Sequence, residues 1–447
     1  MTEKINQLKV LEQLLEFAKR QGADSADAIL FNATSIEVAQ RLGKPEKLER
    51  SETADLGLRV FVGKCQAIVS STDFSDNALK EIVERSVAMA KAAPEDPWCG
   101  IAEPNQISTD LVDLDIHDPL EPTTEALINK VSEAEDAGRG VAGVTNSEGA
   151  EAGWSNAQVA LATSNGFAQN YSLSSHSISV SVLAGKGTDM ERDYDFATAV
   201  HAEDLPKPSK IGLNAGKRAV KRLNPKKKKT AQVPIVFDWR ISSSLLRHLT
   251  GAINGAAIAR GTSFLKDFMG KKIFDSSINI YEDPLRKRGL LSKPFDGEAI
   301  ATKPKLLVKD GKLLTWLMDL SASRQLDLLT TGNAARGTGG PPSPAATNVY
   351  MEAGSRTVTD LLSDIENGFL VTELIGMGVN SITGDYSRGA SGFWIEKGEI
   401  AYPVSEMTIA GNLKQMFSAL TPANDLKFRF GTDAPTLRID GMTTAGI

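Results

Sequence analysis

The chain has 447 residues, more than one hydrophobic core usually supports, so two or three domains are expected. Hydrophobic residues make up 41% and charged residues 24%, an ordinary globular composition that excludes a wholly disordered or fibrous protein. The net charge of −6 provides no global field that would favour nucleic acid or an anionic membrane, so neither is an expected partner.

The cysteine content and the N-terminus predict a cytoplasmic protein. Cys65 and Cys99 are too few for a disulfide framework and are not spaced as a metal-binding pair. Residues 1–6 form no apolar signal-peptide core, and no stretch reaches the roughly 20 apolar residues of a membrane span.

Residues 1–104 are predicted to form a helix-strands-helix unit. Leu8, Leu11 and Leu15 mark one buried helix face that stops near Gly22. Short alternating runs then predict strands between residues 28 and 70, followed by a helix over 76–93. The proline-rich segment 94–104 is predicted to be a loop.

Residues 105–230 repeat that order, with a helix near 123–137, strands, and a helix near 207–223. Asn165-Gly166 between two alternating runs predicts a tight hairpin. The repeat predicts two related halves. The unit ends in four lysines, 226–229, for which a solvated linker is favoured over a polyanion-binding patch.

Residues 231–447 are predicted to form a β-rich domain of barrel-like character. A buried strand is expected at 233–237, hairpins are expected around Asp310-Gly311 and in segment 394–401, and helices near 241–258 and 406–419. The whole chain is therefore predicted to be α+β, with strands flanked by helices in the N-terminal region.

No catalytic constellation follows from the residues themselves. The histidines are too far apart in sequence for a paired zinc-binding helix motif, and only a composite metal site stays open: His117, His176, His201 and His248. The run Ser242-Ser243-Ser244 is interpreted as a helix start. The glycine-rich loop 332–342 lacks the Gly-Lys-Ser/Thr ending of a P-loop and is predicted to be a flexible surface or substrate-facing loop.

Several ordered motifs of the C-terminal domain resemble those of the TldD/PmbA (TldD/TldE) peptidase-modulator family. They are Arg260-Gly261-Thr262-Ser263-Phe264, the loop from Gly332-Asn333-Ala334 to Thr347-Asn348, Gly384-Asp385-Tyr386-Ser387-Arg388-Gly389, and Gly398 to Asn412. The resemblance implies a cytoplasmic peptidase system in which two related subunits pair. The TldD-type subunit holds zinc with an H-E-x-x-x-H helix and a C-terminal cysteine and cleaves unfolded or extended peptides.

The sequence departs from that catalytic pattern at its metal site. The positions that would carry His, Glu and His hold Leu246, Arg247 and Gly251, and segment 428–439 contains no cysteine. Leucine and glycine cannot ligate zinc, and arginine cannot act as a general base. The chain therefore resembles the TldE/PmbA type, for which no catalytic residue and no bound metal are expected.

The resemblance implies a non-catalytic subunit that shapes a peptide path beside a zinc-holding, TldD-like partner. Backbone groups of 384–389 and 403–412 are expected to bind an extended peptide as an added strand. Seven residues are the candidate path: Gly384, Asp385, Tyr386, Arg388, Ser405, Thr408 and Asn412. The alternative explanation is that the glycines serve turns and close packing.

Two other functions stay open. The chain could itself be an active metallopeptidase with a non-standard metal site, or a stand-alone peptide-binding protein. The isolated chain is expected to form a homodimer through the surface meant for its partner.

Overall fold

The computed structural model describes residues 6–109 and 111–446. Residues 1–5 of the N-terminal segment considered above therefore lie outside the described part. None of the helices in the described ranges has the length and apolar character needed to cross a membrane.

The N-terminal region alternates helices with strands, as predicted, but several strands are longer than the short runs expected. Its elements are α1 (Gln7–Arg20), β1 (Ser25–Arg41), β2 (Lys44–Val62), β3 (Cys65–Ser71), α2 (Asp76–Ala92), α3 (Thr124–Arg139), β4 (Val144–Thr163), β5 (Ala168–Ala184), β6 (Glu191–Ala199) and α4 (Pro208–Lys221). Short 3-10 turns occupy Pro104–Gln106, Gly187–Asp189 and Ala202–Asp204.

The helix-strands-helix order occurs twice, and the strands of both occurrences share one sheet. The strand order is β3-β2-β1-β4-β5-β6, with β1 and β4 antiparallel at the centre. Ala28 and Leu30 of β1 pack with α1 and α2, whereas Ile29 belongs to a cluster that includes Phe295 of the C-terminal domain. Because side chains alternate along a strand, one face of the sheet meets the helices and the other meets the C-terminal domain.

The C-terminal region is rich in short strands. Its elements are β7 (Ala231–Phe237), α5 (Trp239–Ala252), α6 (Gly255–Ala259), β8 (Ile280–Glu282), β9 (Lys305–Lys309), β10 (Lys312–Leu313), α7 (Leu320–Gln325), β11 (Ala334–Ala335), β12 (Ser343–Pro344), β13 (Val349–Met351), α8 (Val358–Leu362), β14 (Asn367–Ile375), β15 (Asp385–Glu396), β16 (Glu399–Asn412), α9 (Leu413–Ser418), β17 (Leu420–Pro422), β18 (Thr432–Asp433) and β19 (Leu437–Ala445).

The predicted barrel-like character is confirmed by a closed five-stranded barrel. β16, β15, β14, β7 and β19 follow one another, and an additional pairing of β16 with β19 closes the ring. Phe237, Phe369 and Ile409 are fully buried within the associated core. Closure reduces the free backbone on these strands, although β16 pairs with β19 only over residues 408–410.

The three predicted hairpins exist, and the second and third turns have positive φ angles at both central residues. Gly166 has φ +100° in the first turn, while Asp310 and Gly311 have φ 49° and 75° in the second. Lys397 and Gly398 have φ 51° and 82° in the third, between β15 and β16. Positive φ at both central residues gives a two-residue turn the twist of the flanking strands.

Three predictions for the C-terminal elements are wrong. Residues 406–412 of the predicted helix 406–419 form the end of β16, because pairing with β15 and β19 outweighs local helix preference. Helix 241–258 is two helices, since the Asn254 side chain accepts hydrogen bonds from the Ala256 and Ala257 amides and starts α6. The second arm of the Asp310-Gly311 hairpin is paired only over β10.

The lysine run and the glycine-rich loop also differ from expectation. Lys228 is half-buried, where its ammonium donates to Tyr402 Oη at 2.8 Å and lies 4.4 Å from the Trp394 ring centroid. The solvated-linker interpretation is therefore wrong for this lysine. The loop 332–342 is anchored at its first half, since Asn333 is fully buried and donates to Glu282 Oε1 at 2.7 Å.

A buried cluster of charges joins the N-terminal sheet to that loop. Arg59 of β2 donates from Nε to Asp27 Oδ2 of β1 at 3.0 Å, and Arg336 of the loop forms a second ion pair with Asp27. All three side chains are at most 4% exposed. Burial alone would raise the pKa of Asp27, but Arg336 and Arg59 outweigh it and hold the pKa below its ordinary value.

Removing the Asp27 carboxylate should weaken the contact between the N-terminal sheet and the loop that carries Arg336. Asp27→Ala leaves two buried guanidinium groups with less compensating charge, so the free energy of unfolding should fall by about 3–5 kcal/mol. Urea unfolding followed by tryptophan fluorescence measures the change. Glu49→Ala, which removes an exposed partner of Lys47, is the control and should leave the midpoint unchanged. Equal effects of the two substitutions would contradict the structural role of Asp27.

Candidate functional site

The candidate site lies where one face of α5 meets the start of β15. α5 begins after β7 with Asp238, whose carboxylate accepts a hydrogen bond from the Arg240 amide at 2.9 Å. Ile241, Leu245 and Leu249 bury one face of the helix in the barrel core. The opposite face carries Arg247 and Gly251, four residues apart and both exposed.

The serine run does not start α5, contrary to expectation. Ser242, Ser243 and Ser244 follow Asp238 and Trp239 and lie inside the helix, where all three are buried. Ser242 Oγ donates to the Ala434 carbonyl at 3.2 Å. This bond brings the C-terminal segment 428–439 against α5, as does Arg429, whose guanidinium lies 3.6 Å from the Trp239 ring centroid.

The three positions that correspond to the metal ligands of the catalytic type have different surroundings. Leu246 is 1% exposed and belongs to the barrel core. Arg247 is exposed on the helix surface. A Cβ atom at Gly251 would meet no atom within 4 Å, so this position opens to free space.

β15 brings Tyr386 and Arg388 to this helix face. The Tyr386 ring meets His248 edge-on, with 5.9 Å between ring centroids and an interplanar angle of 81°. Tyr386 is 2% exposed, and burial raises the pKa of its hydroxyl against the opposing effect of Arg388. Two segments that are distant in sequence therefore place four side chains close together: Arg247, His248, Tyr386 and Arg388.

The electrostatics of this place are cationic. Neither Arg247 nor Arg388 forms an ion pair with a described carboxylate within 4.0 Å. Burial lowers the pKa of Arg247, and the neighbouring Arg388 lowers it further. Burial, then Arg388 and Arg247, lower the pKa of His248 to about 4, so this imidazole is neutral at pH 7.

Gly384, Asp385 and Asn412 of the predicted peptide path form a structural corner. Asn412 Nδ2 donates to Asp385 Oδ1 at 3.0 Å, and Asn412 Oδ1 caps α9 by accepting from the Lys414 amide at 3.1 Å. Gly384 has φ +84°, which glycine adopts without strain. The turn-and-packing explanation fits these residues, while their contact with peptide stays a prediction.

Ser405 and Thr408 lie further along β16. Thr408 is paired with Gly389 on one side and with Ala445 on the other. Ser405 lies in an irregular stretch of the ladder, next to Glu406 with φ 55°. Of the seven predicted residues, only Tyr386 and Arg388 join the cationic cluster described above.

The barrel restricts where a peptide strand could be added along this signature. β15 lies between β14 and β16, and residues 408–410 of β16 lie between β15 and β19. The Ser387 amide donates to the Gly378 carbonyl at 2.7 Å, so the loop before β15 covers its first residues as well. Strand addition is therefore blocked along residues 385–389 and at 408–410, where a peptide would have to be recognised by side chains, whereas addition beside residues 403–407 of β16 stays a prediction.

The histidines do not assemble a composite metal site in the described ranges. His176 Nε2 lies 3.1 Å from Asp118 Oδ2, and His201 Nε2 lies 3.0 Å from Asp115 Oδ1. His248 contacts Tyr386 instead. No group of three His, Cys, Asp or Glu side chains positioned for a metal ion occurs within residues 6–109 and 111–446.

Comparisons with known proteins identify the family. Sequence models described as PmbA/TldA metallopeptidase match domain 1 at residues 26–90, the central domain at 117–223 and the C-terminal domain at 230–446. The chain belongs to the PmbA/TldD family. Metalloprotease PmbA of Escherichia coli O157:H7 is 35% identical over 445 residues, which are 98% of this chain and 97% of that protein.

Solved structures of PmbA/TldD proteins share the fold. A Bacteroides thetaiotaomicron protein, named for a proposed role as a modulator of DNA gyrase, superposes with a TM-score of 0.91 at 24% identity, covering 100% of both chains. TldE from Thermococcus kodakarensis superposes with a TM-score of 0.87 at 21% identity, covering 98% of this chain and 100% of that one.

The family is described as metallopeptidase, but the residues at this site do not fit a zinc ion. Protein-bound zinc takes cysteine, histidine or carboxylate ligands. Here Leu246, Arg247 and Gly251 offer none of these donors, and the adjacent Arg388 adds a second positive charge that disfavours a divalent cation.

Sequence reasoning named every member of the cationic cluster, but for separate reasons. Arg247 was a degenerate metal position, His248 an isolated histidine, and Tyr386 and Arg388 parts of the signature. Ser244 was missed as a member of this helix face. Its spacing of four residues from His248, one helical turn, is the sequence signal that places the two together.

The low pKa of His248 predicts a stability loss in acid. In the unfolded chain the imidazole has a pKa near 6.5, whereas in the folded protein its pKa is about 4. Between these two pH values the unfolded chain therefore binds a proton that the folded protein does not bind. Stability from this group is therefore present above pH 6.5 and lost as the pH falls toward 4. Thermal unfolding between pH 7 and 4 should show a shallower decline for His248→Gln than for the wild type. His117→Gln is the matched control, and identical slopes for all three proteins would contradict the prediction.

Proposed function

We propose that this chain is the non-catalytic partner subunit of a zinc metallopeptidase of the same family, acting in the cytoplasm on unfolded, extended peptides. The observation that carries the proposal is the Arg247–Arg388 cation pair at the place where the resemblance implies metal chemistry in a TldD-like subunit. The zinc in this proposal belongs to the partner, and this chain binds none.

The residues at this site support a role in which the partner, and not this chain, holds the zinc. A metal-activated water needs ligands with free electron pairs and a general base of suitable pKa. Arginine stays protonated at physiological pH, and Leu246 is packed in the barrel core. Conversion of this site into a zinc site would require several simultaneous changes, one of them in the core.

The surface beside the cation pair favours a role in holding peptides. Met377 and Ile382 are 84% and 60% exposed and line an open pocket together with Tyr386. Ile375, at the end of β14, is 59% exposed. Exposed apolar side chains next to convergent polar groups are typical of peptide and protein contact surfaces.

Reconstitution with a TldD-like subunit tests the proposal. The isolated chain should contain no stoichiometric zinc by elemental analysis and should leave an unfolded peptide intact. Adding the zinc-holding partner should produce cleavage, because the catalytic water is bound there. Arg247→Ala in this chain should leave the zinc content of the complex unchanged, whereas replacing the glutamate of the partner's H-E-x-x-x-H motif should abolish cleavage.

Other outcomes would favour the alternative functions. Stoichiometric zinc and cleavage by this chain alone would identify it as an active metallopeptidase, as the name of the Escherichia coli relative suggests for that protein. Peptide binding without any effect of a partner would identify a stand-alone binding protein.

The self-association of the isolated chain is a separate prediction. If a surface for a related partner is left uncovered, the same surface should pair two copies of this chain, because the subunits share a fold. Light scattering coupled to size-exclusion chromatography should give the mass of a dimer, and adding the partner should replace it with a heteromer. A monomer at all concentrations would contradict this prediction.

A further inference from the structure

The cation pair on α5 and β15 differs from the buried arginines of the chain in having no carboxylate partner within the described ranges. Arg59 is paired with Asp27, Arg240 with Asp193 at 2.8 Å and Arg222 with Glu373 at 2.7 Å. Arg247 and Arg388 have no such carboxylate among the described residues, although each lies close enough to lower the pKa of His248. Two neighbouring cations without a counter-charge repel each other, and a bound anion would relieve that repulsion.

Unpartnered polar atoms occur on the same face of α5 and on β15. The Tyr386 hydroxyl and Arg388 Nε are buried and form no hydrogen bond with the described residues. His248 Nε2 and the hydroxyl of Ser244 are also buried and form no hydrogen bond with the described residues, and Ser244 is 7% exposed. Buried polar groups are nearly always hydrogen-bonded in folded proteins, so four such atoms around one helix face indicate a ligand.

The chemistry of these groups selects the ligand. Arginine offers only donors, the tyrosine and serine hydroxyls can donate, and a neutral imidazole can donate from one nitrogen. The planar guanidinium fork matches a carboxylate with two parallel hydrogen bonds. The exposed Met377 and Ile382 beside Tyr386 can contact apolar side chains on the same molecule.

We propose that Arg247 and Arg388, with Tyr386, His248 and Ser244, bind a carboxylate group of an extended peptide. The inference deepens the proposed function and rests on it for the peptide, while the anion site rests on the contacts above. The carboxylate is either the C-terminus of the peptide or an aspartate or glutamate side chain. In both cases the subunit would fix one end or one acidic residue of the substrate.

Calorimetric titration of the isolated, full-length chain tests the site with three N-acetylated pentapeptides of alanine and serine. One has a free C-terminal carboxylate, one has a C-terminal amide, and one is amidated with a central aspartate. The free acid or the aspartate peptide should bind at least about ten-fold tighter than the plain amide, as charge-assisted hydrogen bonds require. Which of the two binds tighter distinguishes the two sources of the carboxylate.

Variants assign the effect to this site. Arg388→Gln and Arg247→Gln should each reduce the preference for carboxylate to less than about three-fold, and Tyr386→Phe should weaken it to a smaller extent. Arg85→Gln, which alters an exposed arginine of α2, is the matched control and should keep the full preference. Thermal unfolding of each variant shows that the fold is retained.

Three results would overturn the inference: no peptide binds, the wild type binds acid and amide equally, or the preference survives both arginine substitutions. Failure of the proposed function is distinguishable from these results. Partner-dependent cleavage without carboxylate preference keeps the subunit role and rejects the site. Carboxylate preference in the isolated chain without activation of any partner keeps the site and rejects the role.

Discussion

The buried ion cluster of Asp27, Arg59 and Arg336 holds the loop 332–342 of the C-terminal domain against the N-terminal sheet. One carboxylate from β1 holds an arginine from β2 and a second arginine from a loop more than 270 positions away in sequence. Alongside it, Gly57 of β2 approaches the loop so closely that a Cβ atom would lie 2.4 Å from the Thr338 carbonyl oxygen. Charge pairing and close backbone contact thus fix the loop in one register on the sheet.

Closure of the barrel is the second constraint, and it determines how the candidate site can act. The pairing of residues 408–410 of β16 with β19 uses the backbone groups that an incoming peptide strand would need at that place. In the proposed site, recognition would depend on side chains of α5 and β15. The site consists of guanidinium, phenol, hydroxyl and imidazole groups. Its electrostatic potential is positive, so it attracts anions and repels cations, unlike the ligands of a metal centre.

Local patterns were reliable where a short stretch decides its own conformation. Asp310-Gly311 and Lys397-Gly398 form their turns because backbone φ preference acts within two residues. The same reasoning failed for residues 406–412, which are strand because two distant neighbours pair with them. It also failed for Ser242 to Ser244, since Asp238, four residues before Ser242, starts the helix. The relation between Arg247 and Arg388 was not predictable, because no sequence spacing connects a helix surface with a strand 141 positions later.

The sequence by itself determined the family resemblance, the α+β class, the repeated N-terminal unit and the absence of zinc-binding side chains at positions 246, 247 and 251. These properties follow from residue identity and short-range periodicity. Only the tertiary structure decided that the signature strands are enclosed in a barrel and that Tyr386 and Arg388 lie against His248 and Arg247. The physical reason is that burial and electrostatic interaction depend on distances in space, which long-range strand pairing sets and local sequence does not encode.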